Sequence, residues 1–168
     1  GVAGFRLIEG STSMLRERLK DALAQAEQQG NSEELAVLRL IRTAIKDRDA
    51  AAHVRGRDAI DDTEIHDMLR TMLRQRDESI GAYEQSGRIE LVEQEQLEQR
   101  VIRRFLPPQM SEDEIEAAVR ATIAACCAKG LKDLGRTVDA LKSAYGPEMD
   151  LGCASSAAKR LLRNCQPG

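Results

Sequence analysis

Aromatic side chains are almost missing from this sequence. There is no tryptophan, and Phe5, Phe105, Tyr83 and Tyr145 are its only rings, 2% of 168 residues. A surface that stacks unpaired bases needs several aromatics together, so composition argues against single-strand base recognition. The core must come from Leu, Ile, Val, Met and Ala, as in small helical bundles. Histidine is equally scarce, with only His53 and His66. The cysteines, Cys126, Cys127, Cys153 and Cys165, form no C-x-x-C pair and lie far from both histidines. No zinc or other metal site is expected. Cys126 and Cys127 adjoin within a helical pattern, point to different faces, and read as small semi-buried residues of a reducing cytoplasm. No apolar run approaches the ~20 residues that span a bilayer, so no membrane partner is expected and the reading is cytoplasmic. The first segment lacks the basic start and apolar run of a secretory signal. With Met14 a natural initiator, residues 1–13 read as a leader or a remnant of an expression vector.

Catalytic signatures are missing too. There is no phosphate-cradling G-x-x-x-x-G-K-S loop, no G-x-S-x-G elbow and no Gly/Ser-rich amidase stretch. Ser155 and Lys159 share a helix face at i,i+4, but a serine beside an exposed lysine reads as surface decoration. Asp61, Asp62, Glu64 and Asp67 cluster where a helix N-terminus attracts acids for electrostatic reasons alone. No catalytic residue, metal ligand or cofactor is assigned.

What is present is helical periodicity from Met14 onward. Leu15, Leu19, Ala22, Leu23 and Ala26 mark a first helix that stops at Gln29-Gly30. Asn31, with Glu34 at the third position, caps a second, carried by Leu35, Leu38, Ile41 and Ile45 to about Ala52. His53 to Ile60 reads as a loop. Asp61 with Glu64 starts a third helix lined by Ile65, Met68, Leu69, Met72, Leu73, Ile80 and Tyr83, broken at Ser86-Gly87. Arg88 to Phe105 forms a fourth, with Leu91, Leu97, Val101, Ile102 and Phe105 inward. The third and fourth are polar on most sides, which predicts a long protruding hairpin with a narrow apolar seam. Its Arg70, Arg74 and Arg76 sit among Asp67, Asp77 and Glu78, a pattern of intrahelical ion pairs and solvation.

Phe105-Leu106-Pro107-Pro108-Gln109 then interrupts the helices. Two prolines forbid helix and hold the chain extended, and Ser111 with Glu114 forms a capping box for a fifth helix. Ile115, Val119, Ile123 and Cys126 carry it to Lys129-Gly130. Leu134, Val138, Leu141 and Tyr145 define a sixth, stopped by Gly146-Pro147. Leu151, Ala154, Ala158, Leu161 and Leu162 define a seventh. The expected fold is all-α and multihelical. It has an N-terminal four-helix subdomain of hairpins (14–106) and a C-terminal three-helix subdomain (111–168), joined by a Pro-Pro hinge.

The net charge is -3, so no global field steers the protein toward nucleic acid. The charge is uneven, however. From Lys129 onward there are seven basic residues, Lys129, Lys132, Arg136, Lys142, Lys159, Arg160 and Arg163. Four acids, Asp133, Asp139, Glu148 and Asp150, oppose them and leave +3 locally. Off the apolar stripes, these cations are expected to form a basic edge beside the Gly146-Pro147 loop. Such an edge reads phosphates and the shape of a folded RNA rather than base sequence.

One resemblance covers nearly the whole chain. The stretches Met14-Leu15-Arg16-Glu17-Arg18-Leu19, Leu38-Arg39-Leu40-Ile41 and Ala44-Ile45-Lys46-Asp47 carry it in the first two helices. Arg74-Gln75-Arg76-Asp77-Glu78-Ser79, Ala82-Tyr83, Gly87-Arg88-Ile89-Glu90-Leu91 and Glu93-Gln94-Glu95 carry it in the hairpin. The Pro-Pro segment, Gly130-Leu131-Lys132-Asp133-Leu134-Gly135, Met149-Asp150-Leu151-Gly152 and Ala154-Ser155 complete it. In order and spacing the sequence resembles the GatB/YqeY family in its free-standing YqeY-like form. The resemblance implies a two-subdomain helical protein related to the tail of the B subunit of the tRNA-dependent amidotransferase, where that domain helps hold tRNA. It implies as partners tRNA and amidotransferase or aminoacyl-tRNA synthetase components. The family label is carbon–nitrogen ligase with glutamine as amide donor, but the kinase and amidase parts of that machinery are not in this chain. The expected role is a non-catalytic tRNA-associated accessory module. The alternatives are a helical protein-interaction adaptor without RNA binding, or a subunit active only inside an amidotransferase complex. Family members commonly carry a lysine near the start of the last helix, where this chain has Cys153.

Overall fold

The structure, a computed structural model, describes residues 13–165. Seven α-helices account for most of them, and the described residues contain no strand. They are α1 (Met14–Gln29), α2 (Ser32–Val54), α3 (Asp62–Gln85), α4 (Ile89–Arg103), α5 (Glu112–Ala125), α6 (Leu134–Tyr145) and α7 (Leu151–Asn164). Short 3-10 turns at Leu131–Asp133 and Gly146–Glu148 flank α6. The chain divides into two compact units, α1 to α4 ending at Phe105 and α5 to α7 beginning at Leu106. Of the segment read as a leader, residues 1–12 lie outside the described residues. Ser13 caps α1, its hydroxyl accepting from the Arg16 N–H at 3.2 Å and donating to Asp62 at the head of α3.

In the N-terminal unit the apolar spacing does what it predicts. Leu15, Leu19, Leu23 and Ala26 of α1 are buried with Leu38, Ile41 and Ile45 of α2 and Ile65, Met68 and Leu69 of α3. Asn31 and Asp61 cap α2 and α3 by accepting from the Glu34 and Glu64 N–H groups at 3.2 and 2.9 Å. One polar clamp ties three segments together. The Arg16 guanidinium grips Asp49 of α2 with two bonds of 2.8 Å and donates to the Ile60 carbonyl at 3.0 Å. The Ile60 N–H in turn donates to Asp49 at 2.9 Å. Arg16's hydrogen bonds, foremost, hold the Asp49 carboxyl below its ordinary value. Such a carboxylate adds stability above the ordinary aspartate pKa and loses it as pH falls through its lowered folded value. Asp49→Asn is therefore expected to lower stability at neutral pH. The gap from wild type should narrow below about pH 4, checked by denaturation midpoints across pH.

The α3–α4 hairpin departs from the periodicity reading. Leu91 is exposed and Leu97 half-buried, while Val92 and Gln99 turn inward. Gln99 donates to Asp77 across the hairpin at 2.6 Å, which sets the helix rotation. The Arg70–Arg76 group is a row of intrahelical pairs only in part. Arg70 is buried and bonds Asp67 at 2.9 Å. Arg76 Nε lies 2.5 Å from Glu98 and 3.3 Å from Glu95, both on α4. Burial, reinforced by Glu98, pushes the Glu95 carboxyl up, as expected where two carboxylates share one guanidinium.

Helix closure sets where α5 ends. After α1, α2 and α3, a glycine takes a left-handed conformation, at Gly30, Gly56 and Gly87. After α5 the same conformation falls on Cys127, at φ 52°. The Cys127 N–H reaches the Ala124 carbonyl at 3.2 Å, and the Ala128 N–H reaches Ile123 at 3.0 Å, the paired bonds of a Schellman closure. So α5 ends at Ala125 and not at Lys129-Gly130, and Cys126 and Cys127 cap it instead of lying on two faces of it. A side chain in this region is strained where glycine is not. Cys127→Gly is expected to raise the stability of the C-terminal unit by roughly 0.5–1 kcal/mol in chemical denaturation, and Cys127→Val to lower it.

In the C-terminal unit, Ser111 and Glu114 complete a capping box, with bonds of 3.1 Å in each direction. Gln109 and Met110 join this unit through the Pro147 and Glu148 carbonyls, each at 2.9 Å. The core is Ile115, Ala118, Val119, Leu141, Met149, Ala154, Ala158 and Leu161. Of the α6 stripe, only Leu141 is fully buried. Leu134, Val138 and Tyr145 are half-buried, and Thr137 takes an interior place by donating to the Asp133 carbonyl at 2.8 Å.

Candidate nucleic-acid interface

The seven basic residues of the C-terminal unit are all exposed. The short connection through Gly146–Glu148 folds α7 back along α6, and the Leu131–Asp133 turn touches α7. The start of α6 and the second half of α7 therefore share one end of the unit. Lys159 and Arg163 lie about 12 and 18 Å along α7 from its first residue at 1.5 Å per residue. They belong to that end, as do Lys129, Lys132, Arg136 and Arg160. The Gly146-Pro147 loop lies at the other end, with Lys142 alone among the seven. The basic edge is thus built away from the loop beside which the sequence reading put it.

Two of the seven cations are committed to the fold. Arg136 donates to the Cys126 carbonyl at 2.6 Å and to Asp133 at 3.0 Å, closing the α5–α6 connection. Arg160 donates to Glu116 of α5 at 2.7 Å, fastening α7 to α5. The acids involved respond accordingly. The Lys129 backbone N–H, then Arg136, holds Asp133 low, and Arg160 holds Glu116 low. Among the described residues the side chains of Lys129, Lys132, Lys142, Lys159 and Arg163 make no ion pair. Lys159 and Arg163, at i,i+4, share one face of α7. Four ammonium or guanidinium groups at one end of a small unit can take phosphate oxygens at modest desolvation cost, since all remain in water.

Other candidates resolve less favourably. Ser155 is half-buried and Lys159 exposed, with no hydrogen bond between them among the described residues. Cys153, exposed in the first turn of α7, has its thiol 3.5 Å from Asp150, whose carboxylate caps the helix through the Gly152 and Cys153 N–H groups. The charge at this spot is negative. Among the described residues no group of three or more His, Cys, Asp or Glu side chains is placed to hold a metal ion, and no helix is long and apolar enough to cross a membrane. The signal that sequence reasoning missed was which arginines have acids or carbonyls within reach across helices, since neither Glu116 nor the Cys126 carbonyl is near in sequence to the arginine it engages.

A comparison with protein-family models matches residues 16–162 to a family described as Yqey-like protein. No curated protein gives a significant match.

Proposed function

We propose a function that starts from family membership: the chain belongs to the YqeY-like protein family. It acts as a non-catalytic cytoplasmic module that associates with tRNA, in the manner of the tail domain of the amidotransferase B subunit. Any amide transfer belongs to partner subunits, which are amidotransferase or aminoacyl-tRNA synthetase components. The observation that carries this reading is the group of exposed cations without ion-pair partners, Lys129, Lys132, Lys159 and Arg163, at one end of the C-terminal unit. Such a group recognises backbone and shape, not base identity, which suits a protein without stacking aromatics. The test is the affinity of the full chain for tRNA as salt is raised. Log affinity should fall linearly with log salt, by about 0.9 per phosphate contact on duplex regions. Binding no tighter than that of an unrelated acidic protein, or indifferent to salt, overturns it. A second reading, a helical adaptor without RNA affinity, draws on Ile89 and Leu91, which stand exposed on the N-terminal hairpin.

A further inference from the structure

Two surfaces of the N-terminal unit complement each other. The first is a groove of about 380 Å³ between α1 and α2. Leu19, Leu23 and Ile45 line it with apolar surface, and Lys20, Arg42 and Lys46 supply charge. Among the described residues none of these three cations makes an ion pair, whereas Arg16 and Asp49 at the groove's end neutralise one another at 2.8 Å. Glu27, the remaining acid in the lining, stands 3.9 Å from Arg39. The groove is therefore apolar inside and net positive.

The second surface is the tip of the α3–α4 hairpin. Ile89, the first residue of α4, is 69% exposed. Glu93 follows at i+4 on the same helix face, and Glu90, three residues before Glu93, borders that face. Glu84 adds a further acid near the turn, and Arg88 is the one cation there. A single exposed isoleucine needs no explanation. An isoleucine bordered by two carboxylates, on a molecule that also carries a groove with an apolar floor and three unpaired cations, is complementary in both hydrophobicity and sign.

We propose that these surfaces pair between two copies of this chain. The Ile89 tip of each copy seats in the α1–α2 groove of the other, with Glu90 and Glu93 facing Lys20, Arg42 and Lys46. Reciprocal use of tip and groove closes the assembly at two copies, where one-way use would extend it without limit. Each contact is smaller than a standard interface. The dimer is therefore weak and concentration-dependent, and it is salt-sensitive because its charges lie at the rim.

The experiment is light scattering of the full chain over a range of concentration and salt. At low salt the mass should rise with concentration from 18.6 kDa toward twice that value, and fall back when salt is added. Charge reversal then makes the contact specific. A groove variant (Lys20→Glu, Arg42→Glu, Lys46→Glu) places like charges in both surfaces, and so does a tip variant (Glu90→Lys, Glu93→Lys). Each alone should stay monomeric, with a dimer at least tenfold weaker than wild type. An equimolar mixture should dimerise, because every groove then meets a tip of opposite sign. All five positions are exposed, so helicity should be retained, and the wild-type salt response stands as a test should either variant unfold. A wild type that stays monomeric throughout overturns the proposal. So do open-ended oligomers, variants that dimerise like wild type, or a folded mixture that stays monomeric.

Discussion

Leu141→Ala is expected to unfold the C-terminal unit under conditions where the wild type is stable. Leu141 is fully buried at the centre of α6, against a core that includes Val119, Met149 and Ala158. Truncating such a leucine removes its transfer energy and leaves a cavity, which costs about 2–5 kcal/mol. A three-helix unit of this size has little surplus to absorb that loss, and the four cysteines among its described residues are all free. Far-ultraviolet circular dichroism in denaturant should show an early transition with the amplitude of α5 to α7 while α1 to α4 persist. Leu141→Met, which nearly conserves volume, should cost less than about 1.5 kcal/mol. An alanine variant within about 1 kcal/mol of wild type would mean that the site collapses around the deletion and that this core is not what holds the unit.

Replacing Lys129, Lys132, Lys159 and Arg163 together by Gln should produce the largest functional effect. At about 0.1 M salt each phosphate contact contributes roughly fivefold to eightfold, so four contacts contribute roughly six-hundredfold to four-thousandfold in tRNA affinity. The salt slope should become shallower by about 3 to 4. Helicity should not change, because the four side chains are exposed and hold no other element in place. Arg136 and Arg160 are left intact in this variant, since they bind the Cys126 carbonyl and Glu116. The matched control is Arg48, Arg55 and Arg100 to Gln, three exposed cations of the N-terminal unit outside the α1–α2 groove. Arg70, Arg74 and Arg76 do not serve as that control, because Arg70 is buried and Arg76 is held against Glu95 and Glu98. A larger effect from the control set would move the RNA surface to the N-terminal unit.

Most of the helices were legible because local rules agreed with packing. Leu15, Leu19 and Leu23 keep the 3–4 spacing of a buried stripe, and Asn31, Asp61 and Ser111 cap the helices that they precede. The end of α5 was not legible, because a left-handed closure is announced in sequence by glycine and here Cys127 supplies it. The rotation of α4 was hidden for another reason. Leu91 is more apolar than Gln99, yet Gln99 has a partner in Asp77 and Leu91 lies where the hairpin opens to water. Arg76 was hidden by its charged surroundings. The alternation of charge around it suggested intrahelical pairs, but no acid lies three or four residues from it, and Glu95 and Glu98 meet it across the hairpin. At the candidate site, the cations could be read from the sequence. Their division into structural and available ones could not, since it depends on which carbonyl or carboxylate folding brings within 3 Å. The end of the unit on which they gather was also missed, because it follows from antiparallel packing of α6 and α7 rather than from distance along the chain.

Amide hydrogen exchange of the full chain, with and without saturating tRNA, tests the central claim most directly, because it locates the contact without mutation. Slower exchange is expected in residues 129–136 and 156–164, where Lys129, Lys132, Lys159 and Arg163 lie, with α1 to α4 unchanged. Protection confined to the N-terminal unit, or none anywhere at saturation, would contradict the assignment of the basic end as a phosphate-reading surface.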